Sequence, residues 1–541
     1  MKTLRKTIGF SVLFVLLLSA CGAPATRMPV PSDSYMPRPA ATEAPAKPAA
    51  TQAPARPAPP ASVSQGPASA QSQPKSGAPT QRSNHEPYDM FFQDYGVNPS
   101  IDTEDDNLST FALDVDTGSY TIMRNYLNEG NLPPADSVRV EEYVNYFDQD
   151  YPMPSEHQAF GINMDAGPSP FTETERYDML GVGIQGYQVS EEDREDAALT
   201  FVIDVSGSMD MDNRLGLVKH SLELLVEQLH RSDTVGIVVY GSNARVVLDP
   251  TPGSRKGQIL DAIHQLNTEG ATNAEAGIRL GYRLAMQAYK PGAINRVILC
   301  SDGVANVGNT EANVILSEVK GYVDEGITMA TFGFGMDNYN DTLMEQLADN
   351  GDGFYAYIDD VDEARRLFVD ELTSTLQTIA MNAKVQIDFN PEVVKRYRLV
   401  GFENRAIADE DFRDNSVDAG EIGAGHTVTA LYEIKLYPDA YGRVATVNMR
   451  WEDPNTRAVT EISKDFDVHE IVSDFRETSP YFQRAVVVAE YAEILKESYW
   501  AEDSSLSAVY REAVRLNEYL YHDEAMGEFV DLVRQAKRLK G

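Results

Sequence analysis

From residue 198 to residue 382, short apolar runs alternate with segments whose apolar residues recur every three or four positions. The run 199–205 predicts a strand covered on both faces. The segment 214–229 sets Leu215, Val218, Leu222, Leu225, Val226 and Leu229 at helical spacing. The same reading predicts strands at 235–240, 244–248, 297–300, 328–334 and 354–357. It predicts helices at 254–266, 274–289, 311–324, 340–349 and 362–382. This alternation is α/β: a doubly wound, mostly parallel sheet with helices on both faces. Ligands of such sheets bind at the carboxyl ends of the strands, so chemistry is expected on the strand-to-helix loops.

The flanks have a different pattern. Before the alternating region come a strand at 111–115, helices at 120–129 and 138–147, and strands at 160–164 and 179–184. After it, turn-punctuated runs at 383–389, 396–400, 428–436, 444–451 and 462–468 predict antiparallel strands. Neither flank alone offers many strands, and a small isolated sheet is marginal. The two flanks, 85–190 and 383–470, are therefore expected to build one shared antiparallel β domain around a module at 198–380. Residues 480–541 read as helices, with Val486, Val487, Tyr491, Ile494 and Leu495 on one inward face.

The N-terminus belongs to neither pattern. Lys2, Arg5 and Lys6 precede a short apolar run at 8–18, as in a secretory signal spanning 1–21. The run is shorter than the ~20 residues that a membrane-spanning helix needs. Residues 22–84 hold 14 of the 29 prolines among Ala, Ser, Gln and Thr, and they are expected to form a disordered tether.

Composition narrows the functional classes. The 541 residues carry a net charge of −37. Residues 1–84 carry nine Lys and Arg against Asp33 and Glu43, so residues 85–541 carry −44. A body this acidic lacks the basic footprint of a nucleic-acid binder. Two cysteines, Cys21 and Cys300, exclude a disulfide scaffold or a Cys-rich zinc site. Cys300 lies in a buried strand and reads as a small core residue.

Three strand-end loops carry one set of side chains. The first is Asp204-Val205-Ser206-Gly207-Ser208, the second Gly270-Ala271-Thr272-Asn273, and the third Cys300-Ser301-Asp302-Gly303. Asp204, Ser206, Ser208, Thr272 and Asp302 are all hard oxygen donors suited to Mg²⁺ or Mn²⁺. Competing readings are narrower. A capping role for Asp204 and Ser206 explains one loop of the three. A nucleophilic Ser206 lacks the G-x-S-x-G flanks, and no phosphate-binding G-x-x-x-x-G-K-[ST] is present. A similar run, Asp114-Val115-Asp116-Thr117-Gly118-Ser119, has no matching Thr and Asp loops, and reads as a strand entering a helix capped by Asp116 or Thr117. Asp337, Asn340 and Asp341 read as a loop before a helix with an acidic first turn.

At these loops the chain resembles the von Willebrand factor type A family, whose metal-ion-dependent adhesion site reads DxSxS, then T, then D. The resemblance covers about residues 198–380. It implies that Ser206, Ser208 and Thr272 hold the metal directly, with Asp204 and Asp302 acting mainly through water. The metal then stays net positive and accepts a carboxylate from a partner protein. Leu18-Ser19-Ala20-Cys21 resembles a bacterial lipobox, implying diacylglycerol on Cys21 and attachment to the extracytoplasmic face of a membrane. The whole arrangement resembles bacterial secreted lipoproteins with a type A module ahead of an uncharacterised C-terminal region. The stretches 111–120, 132–152 and 397–405 carry that likeness, including Val138-Arg139-Val140-Glu141-Glu142 and Asn145-Tyr146-Phe147. The expected function is non-enzymatic: a lipid-anchored envelope protein gripping an acidic protein ligand through the metal. The alternative is an envelope-assembly or chaperone-like adaptor using the same site.

Overall fold

The computed structural model describes residues 90–155, 158–171, 177–303, 309–336 and 339–541. The signal segment, Cys21, the expected tether and Asp337 lie outside the described residues. Before the alternating region run β1 (Ile101–Asp102), β2 (Leu108–Ala112), α1 (Gly118–Asn128), α2 (Val140–Asn145), β3 (Phe160–Pro168) and β4 (Asp178–Gly186). The central module opens with β5 (Ala197–Asp204), α3 (Arg214–Gln228), β6 (Thr234–Tyr240) and β7 (Ala244–Pro252). It continues through α4 (Lys256–His264), α5 (Ala274–Ala288), β8 (Ile294–Ser301), α6 (Asn309–Val323) and β9 (Thr328–Gly333). It closes with α7 (Asp341–Asp349), β10 (Tyr355–Tyr357), α8 (Val361–Arg365) and α9 (Leu372–Leu376).

The central sheet has the order β10-β9-β8-β5-β6-β7. Every neighbouring pair is parallel except β6 with β7, which is antiparallel. The sheet is thus the mostly parallel α/β sheet expected. β5 lies between β6 and β8, where the chain order switches sides, and the crevice for a ligand opens at such a point. Side chains of β5 alternate between two cores. Leu199, Phe201 and Ile203 pack with α3 and α4, and Val202 packs with α5 and α7.

The last predicted helix, 362–382, is not continuous. α8 widens into a π-helical turn, Arg366–Asp370, and α9 stops at Leu376. The buried Arg296 donates to the Thr375 carbonyl (2.5 Å) and to the Thr378 hydroxyl (3.2 Å). The helix end is thereby satisfied by a side chain from β8, and the β-branched Thr378 and Ile379 enter a strand instead.

That strand is β11 (Thr378–Phe389). β12 (Val394–Val400), β13 (Gly420–Gly423), β14 (Thr427–Leu436), β15 (Arg443–Glu452) and β16 (Val459–Asp467) follow. The flanks form two antiparallel sheets. One has the order β1-β12-β14-β4-β3, and the other β13-β11-β15-β16 with β2 also on β11. β4 on β14 and β2 on β11 join residues from before and after the central module. The inner faces share one apolar core that includes Phe111, Leu180, Val385, Tyr432 and Val447. The flanks therefore form a packed pair of antiparallel sheets.

α10 (Pro480–Leu495), α11 (Leu506–Tyr519) and α12 (Glu524–Lys540) pack with α1 and α2 around Val487, Tyr491 and Phe529. α1 serves two cores. Tyr120, Met123 and Leu127 face these helices, and Ile122 and Tyr126 face the central module. No helix among the described residues is long and apolar enough to cross a membrane.

The run Asp114–Ser119 has a structural role that its sequence did not reveal. Thr117 occupies the N-cap position of α1 as one of the two expected caps, but its side chain makes no capping hydrogen bond. Asp116 accepts the Tyr355 N–H (2.9 Å) and, with Asp114, receives Arg405. The Ser119 N–H at the start of α1 goes instead to Glu142 of α2 (2.6 Å). Arg405 also reaches Glu345 (3.0 Å) and Asp349 (2.9 Å) on α7. Asp341, more than an acidic first-turn residue, is fully buried against Arg139 (2.7 Å).

Burial pushes Glu142 up to about 8 and Glu345 to about 7, against the pull of Arg139. Removing Arg405 strands the buried carboxylates of Asp114, Asp116 and Glu345. Arg405→Ala is expected to destabilise the body by about 3–5 kcal/mol, read from the midpoint of urea unfolding. A loss below about 1 kcal/mol, the scale of an exposed ion pair, would show that the cluster does not hold the parts together.

Candidate metal centre

Asp204 ends β5 and is fully buried. Its Oδ1 accepts the Ser206 N–H (2.8 Å), which turns the chain back at the sheet edge. Its Oδ2 accepts the Ser301 hydroxyl (3.1 Å) from the end of β8. Both oxygens of one carboxylate therefore fix the shape of the first loop and tie it to the third. The Ser206 and Ser208 hydroxyl oxygens lie 3.1 Å apart, with Ser206 buried and Ser208 half-buried.

The Thr272 loop is attached through its backbone. The Glu269 N–H donates to the Val205 carbonyl (2.5 Å), and the Gly207 N–H donates to the Gly270 carbonyl (3.1 Å). The Ala271 N–H donates to the Ser242 hydroxyl (3.0 Å). Thr272 itself is half-buried. Asp302, 3% exposed, accepts Arg214 Nη1 on its Oδ2 (3.0 Å). The five predicted oxygen donors thus sit on three loops joined at the carboxyl edge of one sheet.

The electrostatics of this edge fit a cation. Burial and the neighbouring Asp302 charge push Asp204 up to about 6. Burial also raises Asp302, although hydrogen bonds from Ser208 and Arg214 pull it back. Two buried carboxylates with raised proton affinity are under-compensated, and a divalent cation is the partner that hard oxygen donors take. Cys300, free and buried in β8, has its thiol pushed up by burial and has no part in the site.

Two further acidic groupings lie elsewhere. Asp196, His230 and Asp233 cluster near the amino end of β5. There the Asp233 carboxylate already accepts Arg194, the Ala197 N–H and the His230 N–H, each at 2.7 Å. Asp352, Asp418 and Glu421 meet between α7 and β13, where Lys320 pairs with Asp418 (2.7 Å). Neither group includes a residue of the three loops.

Ser301 and Arg214 were not singled out in the sequence. The register Ile203↔Cys300 brings Ser301 beside Asp204, so strand pairing is the signal for the first. The signal for Arg214 is its place. A cation at the start of a helix opposes the helix dipole, and it stays there only with a specific partner.

Comparison with known proteins assigns the central module to a family. The sequence model of the von Willebrand factor type A domain matches residues 198–370. The chain carries a von Willebrand factor type A domain. A second model, described as von Willebrand factor, matches residues 86–177. The C-terminal model of the uncharacterized protein YfbK matches 374–441 and 438–539.

The chain is homologous to "Uncharacterized protein YfbK" of Escherichia coli (strain K12), with 39% identity over 382 residues. That alignment covers 69% of this chain and 65% of the relative, so the chain spans about two-thirds of the relative's length. "Uncharacterized protein sll0103" of Synechocystis sp. is 25% identical over 305 residues, covering 54% of this chain and 69% of that one. A solved von Willebrand factor type A structure from Catenulispora acidiphila superposes with a TM-score of 0.43 at 15% identity, covering 71% of this chain and 91% of that one. Domains of this family are often metal-dependent protein–protein interaction modules.

The Thr272 loop depends on Gly270, whose φ is +74° and whose Cβ, if present, would lie 2.3 Å from Ser242 Oγ. Gly270→Ala is expected to cost about 1–3 kcal/mol in stability and to weaken Mn²⁺ binding by displacing Thr272. Thermal melts and a Mn²⁺ titration check both. Wild-type values in each would show that the loop tolerates a side chain there.

Proposed function

We propose that the protein is a metal-dependent protein-binding module, held on the extracytoplasmic face of a membrane by a lipid on Cys21. The observation that carries this reading is the meeting of two under-compensated buried carboxylates with three hydroxyl residues at the switch point of the sheet. Ser206, Ser208 and Thr272 would hold Mg²⁺ or Mn²⁺ directly. Asp204 and Asp302, both already engaged in protein hydrogen bonds, would act mainly through water. A bound cation would supply an electrophilic point for an acidic side chain of the partner. The Ser206 hydroxyl lies against Ser208 rather than a His, which favours binding over nucleophilic chemistry. The lipobox-like run at 18–21 and the Pro-rich segment behind it support a tethered body.

Asp204→Ala should abolish Mg²⁺ and Mn²⁺ binding in calorimetric titration while the melt of the body stays cooperative. It removes a formal charge that hydroxyls cannot replace, and Mg²⁺ dehydrates reluctantly. Ser208→Ala should cost less. Capture of a partner from envelope extract should follow the metal, being lost with EDTA and in Asp204→Ala. Equal Mg²⁺ affinity in folded wild type and folded Asp204→Ala would refute the metal reading. For the anchor, Cys21→Ser should move the protein from the detergent to the aqueous phase. Unchanged partitioning of a processed chain would refute lipidation.

A further inference from the structure

Arg214 is placed at the metal edge at some conformational cost. Asp212 and Asn213, just before it, both have left-handed backbones, with φ of 47° and 58°. Two consecutive non-glycine residues in that region are unusual. They deliver Arg214 into the interior at the start of α3, where it is 4% exposed. The neighbouring connection from β9 to α7 makes room for it. Gly335 has φ +82°, and a Cβ there would lie 2.2 Å from Arg214 Nε. The guanidinium then donates Nη1 to Asp302 Oδ2 at 3.0 Å. A cation opposing the dipole of its own helix is not there to stabilise the helix.

We propose that Arg214 is a positioning residue of the metal site, holding Asp302 back from direct ligation and keeping the bound cation poor in negative charge. The inference rests on the metal reading above. Its logic is a charge balance. Among the buried groups, Asp204, Asp302 and Arg214 together carry a single negative charge, which a divalent cation converts to a single positive one, while Asp212, 3.9 Å from Arg214, is 87% exposed and screened by solvent. Without Arg214 the loaded site is neutral and has no net pull on an incoming carboxylate. A charge-assisted hydrogen bond also competes with the metal for Asp302 Oδ2. Arg214 thus trades metal affinity for affinity toward an anionic ligand.

The sign of its effect on metal binding separates this role from a scaffolding one. Mg²⁺ and Mn²⁺ are titrated calorimetrically into wild type, Arg214→Met, Arg214→Gln and Arg214→Lys, with a thermal melt of each. Gln is the second neutral variant, able to donate a hydrogen bond to Asp302 should Met prevent folding. The neutral variants should bind either metal about tenfold or more tightly, the scale on which a neighbouring full charge shifts an ionic equilibrium. Arg214→Lys, which keeps the charge, should stay near wild type. Equal or weaker metal binding by a folded neutral variant would overturn the inference, leaving Arg214 a structural brace. No Mg²⁺ or Mn²⁺ binding by wild type would overturn the metal reading, and this inference with it.

Discussion

The arrangement of the body depends on the buried Arg139 and the largely buried Arg405, which face an excess of carboxylates. Arg405 comes from the C-terminal flank, Asp114 and Asp116 from the N-terminal flank, and Glu345 and Asp349 from α7 of the central module. Arg139, the residue just before α2, closes the same cluster onto Asp341 and Glu142. Buried charge is tolerated only when it is paired and hydrogen-bonded, so few relative placements of these segments are acceptable. Apolar burial alone would not discriminate so sharply, because it is non-directional.

This cluster and the metal edge share one piece of chain. Gly335, which leaves room for Arg214, lies in the connection from β9 to α7, and Asp341, which Arg139 grips, is the first residue of α7. The flanks therefore do more than carry the type A module. They hold the helix whose preceding connection lies against the side chain on Asp302. α1 adds to this, burying Ile122 and Tyr126 in the module and Tyr120 and Met123 among the C-terminal helices.

What the sequence revealed follows from the range of the interactions involved. Strand β5 and helix α3 show themselves through local periodicity, because each buries a face whose repeat is intrinsic to the element. The five oxygen donors were legible because a strand end, a turn and a helix start fix their spacing. The break at 366–376 was not, because it depends on Arg296, far away in sequence, taking the Thr375 carbonyl. Asp116 was read as a candidate helix cap, and its pairing together with Asp114 was missed, for the same reason: their partner, Arg405, is nearly 300 positions downstream. Which flanking strands pair was not legible, because β2 and β4 find their partners β11 and β14 across the whole length of the central module.

The charge of the body bears on how such a site would work. Residues 85–541 carry −44, a field that opposes the approach of any acidic ligand. On the proposed reading, attraction must then be generated locally, where the protein interior screens less than water does. An all-carboxylate site would bind its cation tightly and quench it. Two carboxylates shared with Ser301 and Arg214, beside three neutral hydroxyls, are a compromise. On that reading they would offer enough negative charge to recruit a divalent ion and too little to cancel it. A short-range electrophile at the bottom of a repulsive field would select against diffuse acidic surfaces. It would favour one carboxylate presented on an otherwise neutral or basic face, and that selectivity would come from the body's acidity as much as from the metal.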